Sequence, residues 1–154
     1  MTNAFVFKLM DRAVNALLKI LEDVPENARG IVPDRFNNNL HWQVGHIVTV
    51  ADRVVNGLSG RTPVFPQEYP AFFAPGTKPA DWQGEAPAWD ELVAELRGLP
   101  DRFRADFGDK PDEPLANPDN FAKAETLGDL LMLNVSHMNN HLGMVNAMAR
   151  IARQ

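Results

Sequence analysis

Apolar residues recur along this chain at the three-and-four spacing of a helix in four stretches, and no stretch alternates apolar and polar residues as a half-buried strand does. The first runs from about Asn3 to Val24. Phe5, Leu9, Val14, Leu17, Leu18 and Leu21 form its stripe, Lys8, Arg12, Lys19 and Glu22 fall mostly off it, and Pro25 ends it. The second, about Asn38 to Leu58, follows Asn37, Asn38 and Asn39, any of which can cap a helix start. It carries Trp42, Ile47, Val50 and Val54 and stops at Gly57 and Gly60. The third opens at Pro87, carries Trp89, Leu92, Val93, Leu96 and Leu99 and reaches about Phe107, with Gly98 and Pro100 as points where it can kink or split. The fourth begins at Thr126, with Asp129 at the reciprocal capping-box position, and runs to about Arg150. Arg150 and Arg153 suit the negative end of its dipole.

The connections turn four helices into a topology. Residues 24–37 make a short link, which predicts that helices one and two are antiparallel neighbours. Residues 59–86 hold five of the twelve prolines (Pro63, Pro66, Pro70, Pro75, Pro79), which forbid a long helix there. They also hold Phe65, Tyr69, Phe72, Phe73 and Trp82, too many aromatics for a floppy linker. A segment of that length can run along a bundle roughly 30 Å long and let helix three start at the same end as helix two. The prediction is an all-α, up-down-down-up four-helix bundle with a Pro- and aromatic-rich crossover between helices two and three. With no internal repeat and 154 residues, a single domain over residues 1–154 is expected.

Composition narrows the chemistry. Hydrophobic residues at 45% and charged ones at 23% are ordinary globular usage. Fifteen Lys and Arg against twenty Asp and Glu leave a net charge of -5, the wrong sign for a chain held on phosphates, so nucleic acid is disfavoured as a partner. The absence of cysteine removes disulfides, thiolate metal ligands and a cysteine nucleophile together. Lys8, Asp11 and Arg12 interrupt the N-terminal apolar run, which is then expected to be neither a signal peptide nor a membrane span, and a cytoplasmic protein is the default.

All four histidines fall in two windows, HWQVGHI (His41, His46) and NVSHMNNHLGM (His137, His141). His137 and His141 are four apart, so their imidazoles share one helix face a turn apart, a spacing that can clasp one ion. Taken alone, that spacing also describes two polar-face histidines or hydrogen-bonded core ones. Height on the bundle adds to it. His46 lies ~18 Å from the end of helix two, and the midpoint of the other pair ~20 Å from the start of helix four. Antiparallel neighbours bring all three to one level. Ile47 and Val50 beside His46, and Leu133, Met144 and Met148 beside the pair, read as interior positions. Three inward histidines need a partner, and a metal is the simplest.

His41, some 140° round the helix from His46, is expected on another face or behind the ligands. Gly45 and Gly143 read as sites of close helix packing. Asn39 and Asn134 are open to two readings, helix caps or polar groups lining the site. Tyr69 and Trp82, with the other crossover aromatics, are open between a strap over the apolar seam and a lid.

Several alternatives lack their residues. The run from His137 reads HMNNH, not the HExxH of a zinc peptidase. Asn38, Gln43, Asn134 and Met138 stand three residues before the histidines, where a di-iron carboxylate bundle needs glutamates. No phosphate-binding glycine loop or GxSxG elbow is present.

The segments NNNLHWQVGHI, AFFAPGTKPADW and TLGDLLMLNVSHMNNHLGM resemble those of the DinB/YfiT-like superfamily of metal-dependent enzymes. The resemblance spans nearly the whole chain. By matching motifs it assigns a metal triad to His46, His137 and His141, and it implies a homodimer and a divalent ion, nickel or zinc foremost. Characterised members are thiol-dependent, such as bacillithiol transferases and mycothiol-dependent isomerases. The resemblance therefore implies a small-molecule substrate and a low-molecular-weight thiol as cosubstrate. One departure stands out: the family's second motif commonly continues H-x-G-Q, whereas this chain has His141, Leu142, Gly143 and Met144. Three functions follow as expectations: a thiol S-transferase of stress or detoxification metabolism, a hydrolase using metal-bound hydroxide, or a non-catalytic metal- or ligand-binding oligomer. No catalytic residue beyond the ligands is assigned.

Overall fold

The N-terminal stripe becomes α1 (Asn3–Glu22) in a computed structural model of the chain that describes residues 3–153. Its buried side is set by Val6, Phe7, Met10, Ala13, Val14, Leu17, Leu18 and Leu21. That set keeps the helical period more closely than a stripe starting at Phe5, and Phe5 is 50% exposed. The second helix, α2 (Leu40–Asp52), is capped by Asn39, whose side-chain oxygen accepts from Trp42 N–H at 2.8 Å. The helix does not stay α to Leu58 as the sequence suggested; at Arg53–Gly57 it widens into a π turn.

The crossover is ordered and contributes a helix of its own, α3 (Tyr69–Phe73), so the described residues form five α-helices where the apolar pattern gave four. A five-residue helix is too short to show a period, and Pro70 in its first turn is compatible with helix geometry. Phe65, Tyr69 and Phe73 are buried, with successive ring centroids 6.0 Å apart, and Trp82 meets Phe73 edge-on at 5.7 Å. Asp52, itself buried, bolts this segment to α2: its carboxylate accepts from Asn56 Nδ2 and from the backbone N–H groups of Val64 and Phe65.

Helix α4 (Trp89–Phe107) runs unbroken through Gly98 and Pro100, and α5 (Leu127–Ala152) starts with the expected capping box between Thr126 and Asp129. The buried side chains of all five helices join one cluster. Named contacts order the long helices. Arg104 near the end of α4 pairs with Asp11 of α1 at 2.9 Å, and Arg153 after α5 with Asp23 after α1 at 3.5 Å. His41 at the start of α2 reaches Pro87 just before α4, and α2 lies against the second half of α5 through Gln43 and His141. Among the described residues there is no strand, and no helix is long and apolar enough to cross a membrane.

Candidate metal centre

Two helices supply the imidazoles and fix their heights. His46 sits in the second turn of α2, and His137 and His141 share a face of α5. One ring nitrogen from each lies within 4.8 Å of the others, and the Nε2 atoms of His46 and His137 are 3.2 Å apart. Two nitrogens held ~2.0–2.1 Å from one ion at a near-tetrahedral angle stand roughly 3.3 Å apart, so this spacing suits a shared cation. His46 is buried, while His137 and His141 are half-exposed, less enclosed than the sequence suggested and open to solvent on one side.

The fold decides which nitrogen carries the proton in two of the three rings. His46 Nδ1–H donates to the Phe73 carbonyl at 2.7 Å, because a carbonyl only accepts, and its Nε2 lone pair is left facing the triad. His141 Nδ1–H donates to Gln43 Oε1 at 2.7 Å, and Gln43 is oriented in turn by donating its amide to Asn38 Oδ1 at 2.8 Å. These are the outer hydrogen bonds that fix tautomer and ring direction in histidine metal sites. Trp42 stacks on His46 with centroids 4.4 Å apart and planes 14° from parallel, which sets the remaining rotation. His137 Nδ1 is buried without a partner among the described residues, as is Asn134 Oδ1 one turn before it.

Charge agrees with geometry. Burial lowers the pKa of His46, opposed by its bond to the Phe73 carbonyl. Burial, then the neighbouring His46, lowers His137 to about 4, and burial, then His137 and His46, lowers His141 to about 3. All three rings are neutral at pH 7, the form in which imidazole ligates.

The remaining candidates are held by the fold. Asn39 is a cap and also donates to Gly30 O. Tyr69 donates its hydroxyl to Glu91 at 2.7 Å, and burial, with that acidic partner, raises its pKa, so it stays protonated. Trp82 Nε1 donates to Phe72 O. His41 points away from the triad, donating to Pro87 O and packing among Phe73, Trp82 and Trp89. Close packing at Gly45 is present, but against Phe73 of the crossover, whereas Gly143 faces open space, so that expectation fails there.

Sequence reasoning missed Gln43 and the Phe73 carbonyl, although Gln43 stands in the same motif as His46. The structure gives Gln43 a measurable role. Gln43→Leu removes the acceptor of His141 from a position where the apolar replacement still fits the helix, and should weaken metal binding about 10–100-fold. Competition with a chromophoric chelator reads this, and an unchanged affinity would contradict the assignment.

The family model described as the DinB superfamily matches residues 9–145. No curated protein matches the chain.

Proposed function

This chain belongs to the DinB superfamily, and from that premise we propose that His46, His137 and His141 hold one divalent metal ion for a thiol-dependent S-transferase reaction on a small electrophile. The observation that carries the metal reading is the pair of Nδ1 hydrogen bonds to Phe73 O and Gln43 Oε1, which aim two Nε2 lone pairs at a common point shared with His137. An ordinary core histidine pairs one ring nitrogen as donor and the other as acceptor; three neutral rings whose remaining nitrogens converge on one another form a donor set that suits a shared cation.

When bound, a divalent ion supplies Lewis acidity that lowers the pKa of a thiol or water beside it. The chain's residues do the rest. Phe73 O and Gln43 hold the ligand protons away from the centre. Trp42 keeps the His46 ring in plane, and the half-exposed edges of His137 and His141 leave an approach from solvent. Three protein ligands leave positions free, as catalytic sites do. With no cysteine in the chain, the thiol has to come from a small cosubstrate. Asn134, whose buried Oδ1 has no hydrogen-bond partner among the described residues, stands one turn before His137. A hydrolase using the same triad is the second reading, favoured by the same solvent-reached side.

The rest of the proposal is an up-down-down-up order of the long helices, supported by the Asp11–Arg104, Asp23–Arg153 and Gln43–His141 contacts. Nickel or zinc as the ion and a homodimer follow from the family resemblance, and a cytoplasmic site of action is proposed as the default for this chain. The test is metal analysis by mass spectrometry on protein purified without a nickel column. About one ion per wild-type chain and loss of it in His46→Ala and His141→Ala is expected. Full stoichiometry in both variants would overturn the triad. Titrating the cobalt-loaded protein with small thiols then separates the chemistries, since a sulfur charge-transfer band belongs to the transferase and its absence favours the hydrolase.

A further inference from the structure

Two separate supports hold the His46 ring: the Trp42 indole stacked on its face and the Phe73 carbonyl that takes its Nδ1 proton. One belongs to α2 and the other to the crossover, and a single side chain ties them together. Thr77 Oγ1 accepts the Trp42 indole N–H at 2.9 Å. Its own proton goes to the Phe72 or the Ala74 carbonyl, each 2.8 Å away, and these two carbonyls flank Phe73 O in the chain. A helix end leaves its last carbonyls without partners inside the helix, and at the end of α3 all three are taken. Phe72 O receives Trp82 Nε1 as well as Thr77, Phe73 O receives His46, and Ala74 O receives the Thr77 backbone N–H.

The sequence builds this arrangement locally. Ala74, Pro75, Gly76 and Thr77 close a turn through the Thr77 N–H to Ala74 O bond at 3.1 Å. Pro75 supplies the fixed φ of the second position, and Gly76, at φ +89°, the left-handed third position that a Cβ disfavours. The reversal returns the Thr77 hydroxyl to the carbonyls the chain has just left. Thr77 is half-buried and stands outside the apolar cluster, so its hydroxyl can be removed without opening the core.

We propose that Thr77 is a positioning residue for the ligand His46, its hydroxyl locking the indole on the ring's face and the carbonyl at its Nδ1 into one unit. A hydroxyl accepts and donates at once, which bridging an indole N–H and a carbonyl requires. Without it the indole loses its acceptor, the end of α3 loses a donor, and the ring is free to tilt away from the direction that brings its Nε2 to 3.2 Å from that of His137. As a statement about metal affinity this rests on the metal reading above; as one about the ring it does not.

The test separates the two. In full-length protein, zinc affinity is measured by competition with a chromophoric chelator. The His46 Nδ1–H and Trp42 indole N–H are followed by NMR after the metal has been removed. Thr77→Val, of the same shape but without the hydroxyl, should weaken zinc binding about tenfold, shift the indole resonance and speed exchange of the His46 proton. Thr77→Ser should restore all three. Tyr69→Phe, which removes the hydroxyl bond to Glu91 from the same crossover, should change none of them. In a Trp42→Phe background the loss caused by Thr77→Val should shrink, because one arm of the bridge is already gone. Wild-type zinc affinity with an unmoved His46 proton in Thr77→Val, serine no better than valine, an equal loss in Tyr69→Phe, or full additivity with Trp42→Phe overturns the positioning role. A wild-type chain that takes no zinc, in which Thr77→Val still disturbs the His46 proton, sinks the metal reading alone.

Discussion

Asp52→Ala lowers the unfolding free energy by about 3–5 kcal/mol, a large share of the 5–15 kcal/mol typical of a domain. The size follows from what the carboxylate does. Asp52 is 2% exposed, and its two oxygens take three donors: Asn56 Nδ2 at 2.7 Å, Val64 N at 3.0 Å and Phe65 N at 3.0 Å. Hydrogen bonds to an ionised acceptor are worth more than neutral ones, and the Phe65 amide is buried where water cannot replace the lost oxygen. Alanine leaves those donors stranded and also frees the start of the crossover from α2. Asp52→Asn keeps one acceptor oxygen and should cost about half as much. Chemical denaturation with unchanged slope reads both, and an alanine variant within about 1 kcal/mol of wild type would contradict the role given to this residue.

The consequence reaches the metal centre, because the crossover that Asp52 anchors carries Phe73, and the Phe73 carbonyl holds the His46 proton. This dependence marks the boundary between what the sequence shows and what it hides. Local chemistry was legible. The Thr126–Asp129 capping box and the Asn39 cap act within three residues of chain, so their letters suffice. The spacing of His137 and His141, and the level of His46 opposite them, follow from helical rise and an antiparallel pair. What was hidden depends on lateral contact. A backbone carbonyl carries no residue identity, so nothing in the letters at Phe73 marks an acceptor for His46. Gln43 looks like any helix residue until the fold sets it beside His141, 98 positions away. Phe5 misled for the opposite reason: several neighbouring residues on α1 are apolar, and only packing selects Val6 and Phe7 over it.

Gly45 and Gly143 are identical letters, each one or two residues from a ligand, and substitution should separate them sharply. A Cβ at Gly45 would stand 2.4 Å from Cδ1 and Cε1 of Phe73 and 2.6 Å from its Cγ, far inside contact distance. The ring cannot swing aside: Phe73 is fully buried, with Tyr69, Phe72 and Trp82 rings at 6.0, 5.9 and 5.7 Å. Gly45→Val should therefore cost about 3 kcal/mol or more in stability, overpacking outweighing the roughly 0.5 kcal/mol or less that exchanging glycine for valine gains within a helix. A Cβ at Gly143 would meet nothing within 4 Å among the described residues beyond its own stretch of helix, and Gly143→Ala should stabilise by about 0.5–1 kcal/mol. The decisive reading is metal affinity. If Phe73 is forced outward its carbonyl leaves His46 Nδ1, so Gly45→Ala should weaken metal binding while Gly143→Ala, though as near to His141, does not. Trimming the obstruction with Phe73→Leu should restore part of the affinity in the Gly45→Ala background, since a smaller side chain lets the backbone return. Equal affinities for both glycine variants would show that α3 is a covering strap with no hold on the ligand.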